Sequence, residues 1–293
     1  MQLTFIVNRA SGGGEAQALA TLVCAHGVAV HDLRRETLTD VVAQAAGTLV
    51  ACGGDGTACA VLDAVARSGR DLPVAVVPFG TGNDLARHLG WPLTSLTWDD
   101  LSAWLTCAPT QQLDRWLIEG PNVQQAWFNY WSMGTDAAVV HRFHHLRRQN
   151  SWLTRSAAVN KALYAICGAQ EYGQRLDGAV DMAMPPDAGA VVAANIPSYA
   201  GGLRLGPSIR ANDGRFDLFA LPGGFSLGLV IVRQRHACAL GQYSELHFQL
   251  RRPMLMQIDG EPLRGRAGDW CIRHVGQVSV LAGPLSSVIR TTR

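Results

Sequence analysis

Two glycine-rich turns hold the residues of this chain best suited to chemistry: Gly53-Gly54-Asp55-Gly56-Thr57 and Gly80-Thr81-Gly82-Asn83-Asp84. Gly53, Gly54 and Gly56 permit backbone angles closed to other residues and let main-chain N–H groups approach an anion with no Cβ in the way. Thr57 can cap a helix or touch a phosphate. Asp55 is the odd member. A carboxylate inside a phosphate cradle repels the phosphate unless a cation or a hydroxyl sits between them, so its presence argues for a metal-bound nucleotide. The plainer alternative is a tight turn with Asp55 as a helix cap. A third stretch, Asp259-Gly260-Glu261, presents two carboxylates on a turn. Phosphoryl transfer to a hydroxyl needs the phosphates held, their charge neutralised by a metal, and the hydroxyl proton accepted. The two turns can do the first, and a carboxylate of the third stretch can do the last. The alternative there is an exposed hairpin tip, since Asp-Gly is a common turn pair.

The elements that must position these residues are legible. A short apolar run at 48–52 breaks into the first turn, an amphipathic stretch at 58–67 follows, and a second apolar run at 74–77 breaks into the second turn. Strand, turn, helix, strand, turn, helix is a parallel βαβ unit, which sets both turns at the carboxyl edge of the sheet, where open α/β sheets bind ligands. The chain opens with a strand, Leu3–Val7, then Asn8-Arg9-Ala10-Ser11-Gly12-Gly13-Gly14, then a helix over Glu15–Ala25. This loop is a second anion-binding candidate, with a flexible turn as the alternative. It is not a Walker loop, because no Gly-Lys-Ser/Thr closes it. A strand at 28–33 and a helix at 41–46 follow, with Thr39 or Asp40 as its cap.

The second half differs in character. The stretch 126–132 alternates as one strand, followed by Met133-Gly134-Thr135-Asp136 and an amphipathic helix at 137–148. That helix carries His141, Arg142, His144, His145, Arg147 and Arg148. It reads either as a basic face for anionic lipid headgroups or phosphates, or as a solvated helix face. Many short strands with Gly/Pro turns between 179 and 281 indicate a sandwich or barrel-like sheet. The fold class is therefore α/β: an N-terminal doubly wound, mostly parallel-sheet nucleotide domain at 1–120, then a β-rich, sandwich-like domain with a few helices at 121–283. A tail at 284–293 has the option of returning to the first domain.

Composition narrows the class. The 293 residues are 48% hydrophobic with a formal net charge of +2, ample for a core and without a field for nucleic acid. No secretory apolar region precedes the first strand, and no apolar run reaches membrane-spanning length. The seven cysteines are scattered and lack CxxC spacing, which favours reduced thiols in a cytosol over disulfides or zinc.

Gly-Gly-Asp-Gly-Thr followed by Pro-Phe-Gly-Thr-Gly-Asn-Asp-Leu-Ala-Arg-His-Leu-Gly-Trp resembles the catalytic domain of diacylglycerol kinases, within the lipid kinase and NAD kinase superfamily. Asp114-Arg115-Trp116 matches that family's Asp-Arg-Trp strand. The stretch 128–164, Asn195-Ile196-Pro197-Ser198-Tyr199-Ala200-Gly201-Gly202 and Asn212-Asp213-Gly214-Arg215-Phe216-Asp217 resemble its accessory domain. Two departures stand out. Arg9 replaces a Pro of the family's Asn-Pro-x-Ser-Gly segment, and Cys59-Ala60 replaces the Asn-Glu of many bacterial members.

The resemblance implies an ATP- and Mg²⁺-dependent kinase that phosphorylates the hydroxyl of diacylglycerol, giving phosphatidic acid. It implies nucleotide contacts at Asn8, Ser11, Gly12, Thr37, Gly53, Gly54, Asp55, Gly56, Thr57, Gly80, Thr81 and Asn83. Asp55, Asp84, Asp114 and Asp136 would set the Mg²⁺ and water network. Glu261 would accept the proton, with Asp259 beside it. A structural magnesium would take the Asp213 side chain and the carbonyls of Arg210 and Arg215. The protein would be cytoplasmic, peripheral at the inner membrane surface where it meets its lipid, with a homodimer left open. Rival readings are another lipid acceptor (a sphingoid base, ceramide or monoacylglycerol) or a catalytically silent nucleotide- or lipid-binding protein.

Overall fold

The computed structural model describes residues 2–9, 11–93, 97–149, 176, 178–206, 208–222 and 237–285. The chain forms two compact units. Unit 1 is Met1–Leu113 with Ala200–Gly202 and Gln277–Arg293, and unit 2 is Asp114–Tyr199 with Leu203–Gly276. The sequence-based boundary at 120 falls at the end of a strand, whereas the chain first passes between units at Leu113/Asp114.

Unit 1 alternates strands and helices: β1 Leu3–Val7, α1 Glu15–Ala25, β2 Ala29–Asp32, α2 Leu38–Gln44, β3 Thr48–Gly53, α3 Asp55–Ser68, β4 Val74–Pro78, α4 Asp84–Leu89 and α5 Trp98–Cys107. The strands lie in the order β2-β1-β3-β4, all parallel. Every residue of β3 is buried, as a parallel strand covered on both faces must be, which is why it reads as an unbroken apolar run. The register places Val7 opposite Cys52 and Asp32, and Gly53 opposite Pro78, so the carboxyl ends finish level. α2 begins at Leu38, earlier than the expected 41, because Thr37 accepts from the Asp40 N–H and caps it.

Unit 2 is a β-sandwich. Its strands are β5 Thr110–Gly120, which starts in unit 1, β6 Val123–Trp127, β7 Tyr130–Gly134, β8 Ala188–Ala194, β9 Ser198–Tyr199, β10 Leu203–Arg204, β11 Phe216–Pro222, β12 Cys238–Tyr243, β13 Glu245–Leu250, β14 Met254–Ile258, β15 Glu261–Gly265 and β16 Gly268–Leu281. Among the described residues of this unit, the helix α6 Thr135–Gln149 follows β7. One layer runs β12-β11-β8-β7-β14-β15 and the other β13-β16-β5-β6. The core between them is written in pairs two residues apart: Trp116 and Ile118, Trp131 and Met133, Val191 and Ala193, Phe216 and Leu218, Met256 and Ile258, Trp270 and Ile272. Alternate residues of a strand share a face, so each pair is one strand's contribution. Each buried aromatic ring removes about 150–250 Å² from water, an upper estimate of about 4–6 kcal/mol before conformational entropy is charged.

The stretch expected as one strand over 126–132 is broken between β6 and β7. The N–H groups of Phe128, Asn129 and Tyr130 turn away from the ladder toward the carboxylate of Asp259. From Gln277 the chain belongs to unit 1 again. Val280 pairs with Val74 of β4, Trp91 donates its indole N–H to the Leu281 carbonyl at 3.0 Å, and Gly283 N–H reaches the Leu89 carbonyl at 2.7 Å. The tail expected at 284–293 lies outside the described residues beyond Leu285.

Candidate active site

In unit 1 the carboxyl ends of β1, β3 and β4 bring three loops together. Asn8, at the end of β1, donates its Nδ2–H to Thr57 Oγ1 at 3.3 Å, and its main-chain N–H goes to the Cys52 carbonyl at 3.0 Å. Ser11 N–H returns to the Asn8 carbonyl at 2.9 Å, closing the loop on itself. Gly12 has φ +67°, and a Cβ there would lie 3.1 Å from the Cβ of Phe79, so this loop rests against the turn after β4.

The two glycine-rich turns touch through their backbones. A Cβ on Gly80 would stand 2.6 Å from the Gly54 Cα, and one on Gly53 would stand 2.5 Å from Thr57 Oγ1. No side chain fits either place: Gly80 is required by the close approach of main chain to main chain, and Gly53 by the Thr57 side chain packed over it. Asn83 closes the second turn in the left-handed region at φ +53°. Its Oδ1 accepts from Gly80 N–H at 2.8 Å and its Nδ2–H donates to the Gly80 carbonyl at 2.7 Å.

Asp55 links the turns. One carboxylate oxygen accepts from Asp84 N–H at 3.1 Å and the other from Leu85 N–H at 3.0 Å. Its charge is thus held by the first turn of α4, and it caps a helix other than its own. Asp84 is almost fully buried and accepts from Gly201 N–H at 2.9 Å. Arg87 donates to the carbonyls of Gly82 and Gly201 and lies 4.0 Å from Asp84. Arg87 escaped the sequence analysis, because its partner is more than a hundred residues away. Two carboxylates therefore flank Gly82, whose added Cβ would stand 3.1 Å from Asp55 Oδ2 and 3.8 Å from Asp84 Oδ2. Paired hard oxygen donors beside main-chain turns suit a hydrated Mg²⁺ with a nucleotide. Thr37, also assigned to the nucleotide, lies between β2 and α2. It is exposed, with its hydroxyl donating to Asp40 Oδ2 at 2.6 Å as the cap of α2.

Unit 2 holds the remaining carboxylates. Asp114 is fully buried, accepting from Gly214 N–H at 2.8 Å, and its other oxygen lies 3.0 Å from His274 Nε2. Its main-chain N–H goes to the Ala211 carbonyl. Asp114 thereby ties down the 211–214 turn beside Arg210, Asp213 and Arg215. Asp213 itself is exposed and accepts from Arg215 N–H at 3.0 Å across Gly214 at φ +68°. An exposed carboxylate on a turn suits a magnesium ion that keeps waters, for which the carbonyls of Arg210 and Arg215 would be the other donors.

Asp136 is buried beneath a polar chain. Ser132 donates its hydroxyl to it, Gln257 donates to Ser132 Oγ at 3.0 Å, and Gly260 N–H donates to Gln257 Oε1 at 2.8 Å. Burial raises the Asp136 carboxyl above the ordinary aspartate range, against the lowering by its hydrogen bonds.

Asp259 and Glu261 part company. Asp259 is buried at φ +50°, and its carboxylate accepts from three consecutive main-chain N–H groups, Phe128 at 3.0 Å, Asn129 at 2.8 Å and Tyr130 at 3.1 Å. Glu261 points outward with its side chain 62% exposed, and His144 Nδ1 lies 3.8 Å from it. Beside it α6 and β14–β15 line a cavity of about 410 Å³ with His141, Arg142, His144, His145, Arg148 and Arg264. His141 Nε2 donates to the carbonyls of Met256 at 3.0 Å and Leu263 at 2.9 Å, so this ring pins α6 to the sheet.

Comparison with known proteins agrees with this arrangement. Residues 2–106 match the diacylglycerol kinase catalytic domain and residues 126–262 the diacylglycerol kinase accessory domain. The chain is 35% identical to Diacylglycerol kinase 1 of Arabidopsis thaliana over 270 residues, which cover 80% of this chain and 37% of that protein. It is 31% identical to Diacylglycerol kinase 2 of the same plant over 273 residues, 80% of this chain and 38% of the relative. The chain thus spans well under half the length of these relatives. In fold it is similar to a diacylglycerol kinase from Bacillus anthracis, with a TM-score of 0.63, 17% identity and 97% of each chain covered. It is also similar to yeast NADH kinase complexed with NADH, with a TM-score of 0.53, 12% identity, and 99% and 86% of the two chains covered.

Proposed function

The chain belongs to the diacylglycerol kinase family, and from that premise we propose that it transfers the γ-phosphoryl group of ATP to the hydroxyl of diacylglycerol, giving phosphatidic acid. The observation that carries the nucleotide half is the convergence of Asn8–Gly12, Gly53–Thr57 and Gly80–Asn83 at the level ends of β1, β3 and β4. Such turns receive phosphates on their N–H groups. Bound Mg²⁺ supplies neutralisation of phosphate charge. The carboxylates of Asp55 and Asp84, held in place by Leu85 N–H and Gly201 N–H, would carry it, directly or through water.

In the reaction the lipid hydroxyl oxygen bonds to the γ-phosphorus, the bond from that phosphorus to the β,γ-bridging oxygen breaks, and ADP leaves. The hydroxyl proton needs an acceptor. Asp259 is committed to three N–H groups, whereas Glu261 is exposed, so we assign the proton to Glu261. The basic face of α6 beside Glu261 suits an anionic membrane surface. Among the described residues no helix is long and apolar enough to cross a membrane. The enzyme would meet its lipid from the cytoplasmic side, as a peripheral protein.

The deciding experiment supplies γ-labelled ATP, Mg²⁺ and mixed micelles holding diacylglycerol, monoacylglycerol, ceramide or a sphingoid base, with products resolved by chromatography. Labelled phosphatidic acid is the expected result. Label on a different lipid replaces the acceptor and keeps the chemistry. A thermal shift with ATP and Mg²⁺ but no labelled lipid identifies a silent binder and ends the kinase reading.

A further inference from the structure

We propose a zinc site on the β13–β16 strand pair, made by Glu245, His247 and Cys271. The register sets His247 directly opposite Cys271, and Glu245 lies two residues before His247 on the same strand. Alternate and directly opposed residues share a face, so the three side chains project from one side of the ladder. Their donor atoms already form a tight triangle. Glu245 Oε1 is 3.0 Å from His247 Nε2, Cys271 Sγ is 3.6 Å from Glu245 Oε1, and Cys271 Sγ is 3.9 Å from His247 Nε2.

Tetrahedral zinc fixes the size such a triangle must have. With bonds of about 2.3 Å to sulfur and about 2.0–2.2 Å to nitrogen and oxygen, the edges between ligand atoms come to about 3.3–3.6 Å. The observed edges straddle that range, so an ion seats after side-chain adjustments of a few tenths of an ångström. One sulfur, one imidazole nitrogen and one carboxylate oxygen form a set for zinc or another late first-row divalent metal. Magnesium and calcium, which take oxygen donors, are poorly matched. Among the described residues this is the one group of three such side chains close enough to hold an ion.

The surroundings favour a cation. Arg273 stands opposite Glu245 in the register, but its Nε donates to Glu119 Oε2 at 2.7 Å, and Gln124 donates to the other oxygen of Glu119. The guanidinium charge is thus matched by Glu119, and Glu245 remains the carboxylate facing His247 and Cys271. Glu245 and His247 are exposed, with side chains 53% and 71% accessible, so water completes the coordination. Burial and the neighbouring Glu245 carboxylate raise the Cys271 thiol above its ordinary value, so binding releases a proton to solvent as the Sγ–metal bond forms. Bound metal would cross-link β13 to β16.

Cobalt(II) tests the site in the full-length chain, since a thiolate ligand gives a sulfur-to-cobalt charge-transfer band that zinc then displaces. Wild type should show the band at one equivalent of metal, with affinity rising as pH rises, and zinc should raise the melting temperature above that in chelator. Cys271→Ser should lose the band, and His247→Ala should weaken zinc binding at least tenfold. Both positions lie at the surface or half-buried, and circular dichroism checks that the variants fold. A band that persists in Cys271→Ser, or zinc affinity unchanged in His247→Ala, overturns the proposal. So does a wild type without the band. None of the three residues belongs to the nucleotide turns, so failure here leaves the kinase reading untouched.

Discussion

The carboxylate of Asp55 caps the helix that begins at Asp84, taking the N–H groups of Asp84 and Leu85 at 3.1 and 3.0 Å. The first glycine-rich turn therefore holds the second in place. Asp55→Asn keeps one acceptor oxygen but turns an NH₂ group toward a main-chain N–H. Hydrogen bonds to a charged group are worth about 1.5–3 kcal/mol each, so this variant should melt at a lower temperature as well as lose turnover. Denaturant unfolding and the labelled-lipid assay measure the two effects separately. Wild-type turnover in Asp55→Asn would remove this residue from the site.

Gly80→Ala probes the contact between the turns. The added methyl would stand 2.6 Å from the Gly54 Cα and 2.7 Å from Asn83 Oδ1. Gly54 is main chain and has no rotamer to change, and Asn83 Oδ1 is held where it accepts from Gly80 N–H. Overpacking of this kind costs about 1–3 kcal/mol, and the strain falls on the turn that would face the phosphates. Nucleotide affinity, read by calorimetry, should drop at least tenfold. Unchanged affinity means the turns have room that their backbones do not show.

Some of this was legible in the sequence and some was not. α1 over Glu15–Ala25 and the fully buried β3 follow from local periodicity and apolar runs, and the structure has them at those places. Local signals also set the carboxyl-edge turns. The break at Phe128-Asn129 was hidden, because its cause, Asp259, is 130 residues away. Arg87 and its Gly201 partner were hidden for the same reason, as was the Glu245, His247 and Cys271 triangle, which depends on strand register. Sequence spacing reports neighbours along an element, whereas a carboxylate that collects distant N–H groups leaves no period to read.

Asp213→Ala tests the structural magnesium. A metal that binds the folded state alone stabilises it by mass action. Wild type should melt higher in Mg²⁺ than in chelator, and the variant should show no such difference. The turn itself loses one hydrogen bond, Arg215 N–H to Asp213, in either medium, a loss of about 1 kcal/mol. A wild type indifferent to chelator rules out a magnesium ion here.

Asp136 gives a pH signature. Its folded-state carboxyl is raised above the unfolded value by burial, so between the two values the native state holds the extra proton. Stability therefore falls as pH rises through that window, which opens near the ordinary aspartate value of 3.8 and extends upward. Asp136→Asn cannot ionise and still offers an oxygen to the Ser132 hydroxyl. Measured from about pH 4 to about pH 8, its melting temperature should gain on that of wild type as pH rises. A constant difference across the range means that Asp136 ionises as readily folded as unfolded.

Glu261→Gln and Asp259→Asn separate chemistry from architecture across a single glycine. Glu261 is exposed, and His144 Nδ1 stands 3.8 Å from it, beyond hydrogen-bond distance, so Gln should change stability by no more than about 0.5 kcal/mol. As a base it cannot be replaced, because an amide takes no proton from the lipid hydroxyl. Turnover should fall about 10²–10⁴-fold, in kcat rather than in the KM for ATP, since the interaction strengthens as the hydroxyl oxygen attacks. Asp259→Asn should do the reverse in the first instance. It keeps one oxygen for three N–H groups and sets an NH₂ against the rest, so the Phe128–Tyr130 corner loosens and the melting temperature falls. Its loss of turnover should follow from the displaced Gly260–Glu261 turn and should shrink when the fold is restored by lower temperature. If Glu261→Gln turns over lipid at the wild-type rate, the proton goes elsewhere. If Asp259→Asn melts like wild type yet is inactive at every temperature, Asp259 is the acceptor, and the three N–H groups hold it ready for that role.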